Sequence, residues 1–106
     1  MNDKFLGLLG MARRAGKLSL GHDAAKAAVN FSKARLILLS SDASQRLKEE
    51  FLNRAISAEN LQVLPLSYTM IEIGMAIGSK AGVLTVDDEG FAQRLSQLYN
   101  EQHKED

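Results

Sequence analysis

The chain has 106 residues, with 13 Lys or Arg against 13 Asp or Glu and no cysteine. That length suits one domain with a single core over residues 1–106. Without cysteine there are no disulfides and no thiolate metal sites. No apolar run approaches the ~18 residues of a membrane span, and Met1-Asn2-Asp3-Lys4 lacks the basic start of a signal peptide. A cytoplasmic protein is expected. The zero net charge conceals an asymmetry: from Met1 to Arg54 ten basic residues stand against five acidic ones, and from Ala55 to Asp106 three stand against eight. Such a basic first half points to one basic face and a polyanionic partner.

Phe5, Leu6, Leu8, Leu9 and Ala12 recur at helical spacing, which predicts a first helix from about Asn2 to Arg14, ending near Ala15-Gly16. Gly7 and Gly10 inside it lower helix propensity and imply close packing against a neighbour. Leu18 to Leu20 reads as a short strand. Gly21 then turns the chain into an alanine-rich helix from His22 to about Ser32. The first N–H groups of any helix have no partner inside it, and the helix dipole favours an anion there. With Arg13, Arg14, Lys17 and Lys26 close in sequence, Gly21-His22-Asp23 reads as a phosphate-binding helix start. The plainer alternative is that His22 or Asp23 merely caps the helix. In that position His22 is expected to favour its neutral form.

Arg35 to Ser40 is a continuous apolar run, the pattern of a central strand buried on both faces. Ser41-Asp42-Ala43-Ser44 supplies a turn and a cap. Leu47, Phe51 and Ile56 then mark an amphipathic helix to about Ala58, whose charged face, with Arg46, Lys48, Glu49 and Glu50, is expected to be solvated. Leu61 to Leu66 is a further strand, placed at a sheet edge by Pro65. Ser67 or Thr69 caps a helix carrying Met70, Ile71, Ile73, Ala76 and Ile77, in which Gly74 and Gly78 imply tight helix-to-sheet packing and a glycine stop. Ser79 to Gly82 reads as a flexible loop in which Ser79 and Lys80 either touch a ligand or merely turn the chain. Val83 to Val86 is the last strand, and the last helix runs from about Glu89 to Asn100 behind acids that suit a helix start, with Gln102 to Asp106 fraying. Helices alternating with short strands predict an α/β fold, a three-layer α/β/α sandwich around a small central mixed sheet of about four strands.

The chemistry of an enzyme is missing. There is no Gly-x-Gly-x-x-Gly, no Gly-x4-Gly-Lys-Ser/Thr and no Gly-x-Ser-x-Gly elbow. His22 and His103 are far apart, and Asp87-Asp88-Glu89 has no further ligand at useful spacing. No catalytic residue, cofactor or metal is assigned.

Several strings, in order and at matching spacing, carry a resemblance over nearly the whole chain. They are Leu9-Gly10-Met11-Ala12-Arg13-Arg14-Ala15-Gly16-Lys17-Leu18, then Gly21, then Lys33-Ala34-Arg35-Leu36-Ile37-Leu38-Leu39 with Asp42-Ala43-Ser44, then Ile73-Gly74-Met75-Ala76-Ile77-Gly78, then Asp88-Glu89-Gly90-Phe91-Ala92. Together they resemble the kink-turn RNA-binding ribosomal protein family, the L7Ae and L30e group, and within it the bacterial YlxQ-type members. The resemblance implies a sandwich in which the helix opened by Gly21 enters the groove of a kinked RNA while the loop before the last strand covers the bulge. It implies structured RNA as partner, ribosomal or kink-turn, with ribosomal proteins as possible neighbours. The residues it points to are Arg13, Arg14, Lys17, Gly21, His22, Asp23, Lys26, Ser79 and Lys80. In the family's strong binders Asn, Glu and Lys follow the glycine at the second, third and sixth positions. Those positions hold Asp23, Ala24 and Ala27 here. The alternative these departures raise is a protein-interaction module that keeps the fold without the RNA site.

Overall fold

The computed structural model describes residues 3–103. The expected helix start at Asn2 and, of the fraying expected from Gln102 to Asp106, the part over 104–106 lie outside those residues; Gln102 itself is helical and donates to the Tyr68 hydroxyl at 2.9 Å. Asp3 caps α1 (Lys4–Arg14), its carboxylate accepting the Leu6 N–H at 3.0 Å. There follow β1 (Leu18–Leu20), α2 (Gly21–Asn30), β2 (Leu36–Leu39), α3 (Gln45–Ser57), β3 (Val63–Pro65), α4 (Met70–Ile77), β4 (Val83–Val86) and α5 (Glu89–Gln102). The strands form one mixed sheet in the order β1-β4-β2-β3, with β4 antiparallel to both neighbours and β2 parallel to β3.

Every residue of β2 and β4 is buried, because both faces of the sheet are covered. Alternation along the strands divides the core. Leu36, Leu38, Leu84 and Val86 join Phe5 and Leu9 of α1, Ile73 and Ile77 of α4, and Leu95 and Leu98 of α5. Ile37, Leu39 and Val83 face the other way, onto Ala25, Ala28 and Val29 of α2 and Phe51 and Ala55 of α3. The result is the three-layer α/β/α sandwich expected from the alternation of elements.

The boundaries differ where helix ends take backbone that the sequence pattern assigned to a strand. Leu61 is outside β3 because Glu59 and Asn60 adopt left-handed backbone, φ +61° and +60°, and the Leu61 N–H turns back to the Ala55 carbonyl at 3.0 Å. Pro65 does lie on an edge strand, opposite Leu39. Of the two candidate caps for α4, Thr69 is the one used. Its hydroxyl accepts the Glu72 N–H at 3.2 Å and the Glu72 carboxylate accepts the Thr69 N–H at 2.9 Å. Asp42 reinforces the same start from the loop after β2, accepting the Met70 N–H at 3.0 Å.

Close approach by glycine occurs at fewer places than expected. A Cβ on Gly10 would sit 3.1 Å from the Ala76 carbonyl oxygen of α4, whereas one on Gly7 would meet open space. Gly74 does not pack on the sheet: the atoms nearest its missing Cβ belong to Lys80, whose Cγ lies 3.1 Å away. The loop from Ser79 to Gly82, expected to be flexible, is anchored. Ala81 is buried in the core, Gly82 is enclosed by Leu47, Met70 and Ala43, and the Gly82 carbonyl accepts the Ser40 N–H at 2.9 Å.

Candidate functional site

The start of α2 is uncapped by any side chain among the described residues. Leu20 occupies the cap position and has no polar group, and Gly21 enters the helix with φ +87°, a conformation that favours glycine. Asp23 sits in the first turn with its side chain fully exposed, turned toward His22. Neither His22 nor Asp23 caps the helix, so the capping alternative does not describe it. The first-turn N–H groups face outward with the positive end of the helix dipole behind them.

The surface beside these donors is shallow. Ala25, Ala28 and Val29 bury the inner side of α2, which leaves Ala24, Lys26 and Ala27 on the exposed side. Lys26 stands four residues after His22 and so shares its face. The register Leu20 opposite Leu84 brings the start of α2 and the Ser79–Gly82 loop to the same end of the β1–β4 pair. Ser79 and Lys80 are exposed there, and the Lys80 stem lies over Gly74.

The remaining bases are arranged less tightly than their sequence proximity suggests. Lys17 lies at the other end of β1, where its carbonyl accepts the Asp87 N–H at 2.8 Å. Four steps along extended chain separate it from Gly21, roughly 13 Å at 3.3 Å per residue. Arg13 and Arg14 are exposed in the last turn of α1. Arg14 lines a groove between α1 and α4 with Gly10, Met75 and Ala76. The acids before α5 are committed to the fold: Asp88 accepts the Phe91 N–H at 2.9 Å, and Asp87 accepts the hydroxyls of Thr85 at 2.8 Å and Ser19 at 2.5 Å.

The charged side of α3 is not simply solvated, contrary to the reading of its sequence. His22 Nε2 meets Glu50 Oε2 at 2.8 Å and Oε1 at 3.0 Å, while its Nδ1 stands 3.2 Å from Asp23. Glu50 in turn accepts from Arg54, with Nε and a terminal guanidinium nitrogen each 2.8 Å from Oε2. The His22 ring packs against Phe51 in a T-shaped arrangement, with centroids 5.8 Å apart and planes at 87°. Hydrogen bonds to Asp23 and then Glu50 raise the His22 pKa above the ordinary histidine range. The shift runs opposite to the one expected from the helix dipole alone, because two adjacent carboxylates outweigh a partial charge. Hydrogen bonds from Arg54 and then His22 hold Glu50 below the ordinary carboxylate range. Sequence reasoning missed Glu50 and Arg54. Their spacing of four on a helix marked them as a pair, but nothing in the sequence brought α3 up to His22.

A family model described as the ribosomal protein L7Ae/L30e/S12e/Gadd45 family matches residues 3–96. The RNA-binding protein YlxQ of Enterococcus faecium is 30% identical over 95 residues, covering 90% of each chain. The RNA-binding protein YlxQ of Bacillus subtilis is 33% identical over 96 residues, covering 86% of this chain and 90% of that one. A solved protein of unknown function from Bacillus halodurans superposes with a TM-score of 0.87 at 33% identity, over 93% of this chain and 99% of that one. The 15.5kD RNA binding protein of Giardia lamblia superposes with a TM-score of 0.67 at 16% identity, over 95% and 89% of the two chains, a likeness of fold alone.

Proposed function

Because the chain belongs to the ribosomal protein L7Ae/L30e/S12e/Gadd45 family, we propose that it is a non-enzymatic, ribosome-associated RNA-binding protein that recognises structured, kink-turn-like RNA. The single observation that carries this reading is the uncapped start of α2, whose N–H donors open onto an exposed surface of small residues. A phosphate backbone needs donors and room to approach closely, and this surface offers both, with Lys26 one turn along the helix. Two relatives named RNA-binding proteins support the assignment.

The site takes shape around the groove into which α2 enters. Gly21, His22 and Asp23 face the RNA at the helix start, Lys26 follows one turn later, and Ser79 with Lys80 borders them across the end of β1 and β4. Arg13, Arg14 and Lys17 supply outlying phosphate contacts along the backbone. Recognition of this kind reads shape more than base edges, which suits a helix that offers Ala24 and Ala27 where a polar side chain would read a base.

The test is titration of a labelled kink-turn RNA, against the same RNA with its guanine-adenine pairs replaced and against a plain duplex, at low and physiological salt. Binding that is tight, salt-dependent and weakened by the replacement is expected. Equal affinity for all three RNAs would defeat kink-turn recognition. A protein partner retained after nuclease treatment, with no RNA affinity, would favour the interaction-module alternative.

A further inference from the structure

Asp23 presents a problem for any polyanion approaching α2, since its carboxylate is fully exposed in the first turn. The side chain within hydrogen-bonding distance of it is His22, and the two bonds of the His22 ring are unequal. On the Nε2 side both oxygens of Glu50 lie within 3.0 Å, and that carboxylate is itself held by Arg54. On the Nδ1 side the contact with Asp23 is longer, 3.2 Å, and the Asp23 side chain is fully exposed where that of Glu50 is 30% exposed. One side of the ring is an anchor and the other is exchangeable.

We propose that His22, as an imidazolium held from α3 by Glu50 and Arg54, is the cation that meets an RNA phosphate at the head of α2. Glu50 and Arg54 are its positioning residues, so that α3 becomes part of the binding site. The proposal rests on the RNA reading above and extends it to a helix outside the expected contact set. Nε2–H stays on Glu50, the ring stays against Phe51, and Nδ1–H passes from Asp23 to a phosphate oxygen. The groups facing the ring are Asp23 from α2 and Glu50 from α3, with Arg54 beyond Glu50 and Lys26 one turn along on the same face. With His22 protonated, these two acids and two of the bases balance, His22 against Asp23 and Arg54 against Glu50. Once His22 loses its proton, the Asp23 charge is uncompensated by the ring and Nδ1 no longer donates while Nε2–H stays on Glu50.

A consequence is that RNA affinity falls as pH rises through the His22 titration, whose position the two carboxylates raise. Phosphodiesters stay ionised across this range, so the pH dependence belongs to the protein. The experiment measures the affinity of the kink-turn RNA from about pH 6 to about pH 9, with the His22 titration followed by NMR in the free protein. For the unaltered chain a loss of roughly tenfold or more is expected across the His22 titration, the worth of one hydrogen bond to a charged group. His22→Gln binds weakly with a flat profile. His22→Lys restores binding and is also flat, because lysine stays charged throughout. Glu50→Gln moves the His22 titration to lower pH and weakens binding near neutrality while the NMR spectrum stays that of a folded chain.

A wild-type affinity independent of pH, with His22→Gln binding as tightly as wild type, would overturn the proposal and leave the RNA reading standing. Absence of binding to every RNA at every pH would overturn the RNA reading itself, and this assignment with it.

Discussion

The two faces of the sheet are covered by different kinds of layer. Under α1, α4 and α5 lies a cluster of large side chains, Phe5, Leu9, Leu36, Leu38, Ile73, Leu84 and Leu95 among them. Under α2 and α3 the helical contribution is mostly alanine, with Phe51 as the one large fully buried ring. The same layer carries the uncapped helix start and the His22–Glu50–Arg54 chain. A helix that packs through alanine sits close to the sheet and gains less from burial. The comparison teaches that stability is concentrated on the three-helix face, leaving the two-helix face free to present backbone donors and charges.

The largest effect that tests this division is Leu95→Ala on α5, at a fully buried position. It is expected to lower unfolding free energy by about 3 kcal/mol, through lost transfer energy and a residual cavity. Urea denaturation reads this as a lower midpoint, while the RNA affinity of the folded fraction stays unchanged. A loss of affinity as large as the loss of stability would break the comparison.

Gly21→Ala on the other face should behave the opposite way. A Cβ there meets no atom within 4 Å, so space is no obstacle, but the backbone is left-handed at φ +87°. The expected destabilisation is only about 1–2 kcal/mol, by the same denaturation measurement. The RNA affinity of the folded protein should nevertheless fall, because relief of the strain re-aims the first turn of α2. Unchanged affinity would show that the site does not depend on this entry geometry.

The smallest effect sharpens the account of the stable face. Tyr68 stacks on Phe5 with centroids 5.7 Å apart, donates to Asp3 at 2.6 Å and accepts from Gln102 at 2.9 Å. Tyr68→Phe is expected to cost about 1 kcal/mol, the net worth of a typical hydrogen bond. Burial, then the bond to Asp3, raise the Tyr68 pKa from 10.0 to about 12. A raised folded-state value means that this stabilisation is complete below pH 10 and is lost as pH rises toward 12. Denaturation midpoints across that alkaline range should therefore fall less steeply for Tyr68→Phe than for the unaltered chain.

Much of the molecule was legible in its residues taken in order. The apolar runs at Leu36–Leu39 and Val83–Val86 mark strands covered on both faces, and Gly78 ends α4 in left-handed backbone with φ +83°. These are local statements, since periodicity and glycine conformation depend on near neighbours in the chain. Gly21 and the bases around it likewise marked the candidate site before any contact was seen.

What the sequence by itself determined, then, is the identity and order of the elements, the apolar faces that force them into three layers, and the glycine-opened helix start with bases close to it in the chain. Only the tertiary structure decided that no side chain caps the start of α2 among the described residues, that the loop at Ala81 is anchored, and that His22 is gripped from α3. Glu50 is 28 residues from His22, and Asp42 is equally far from the Met70 N–H it accepts. Hydrogen bonds act over about 3 Å of space whatever the separation along the chain. Partnerships of this kind exist only once the sheet has brought its helices side by side.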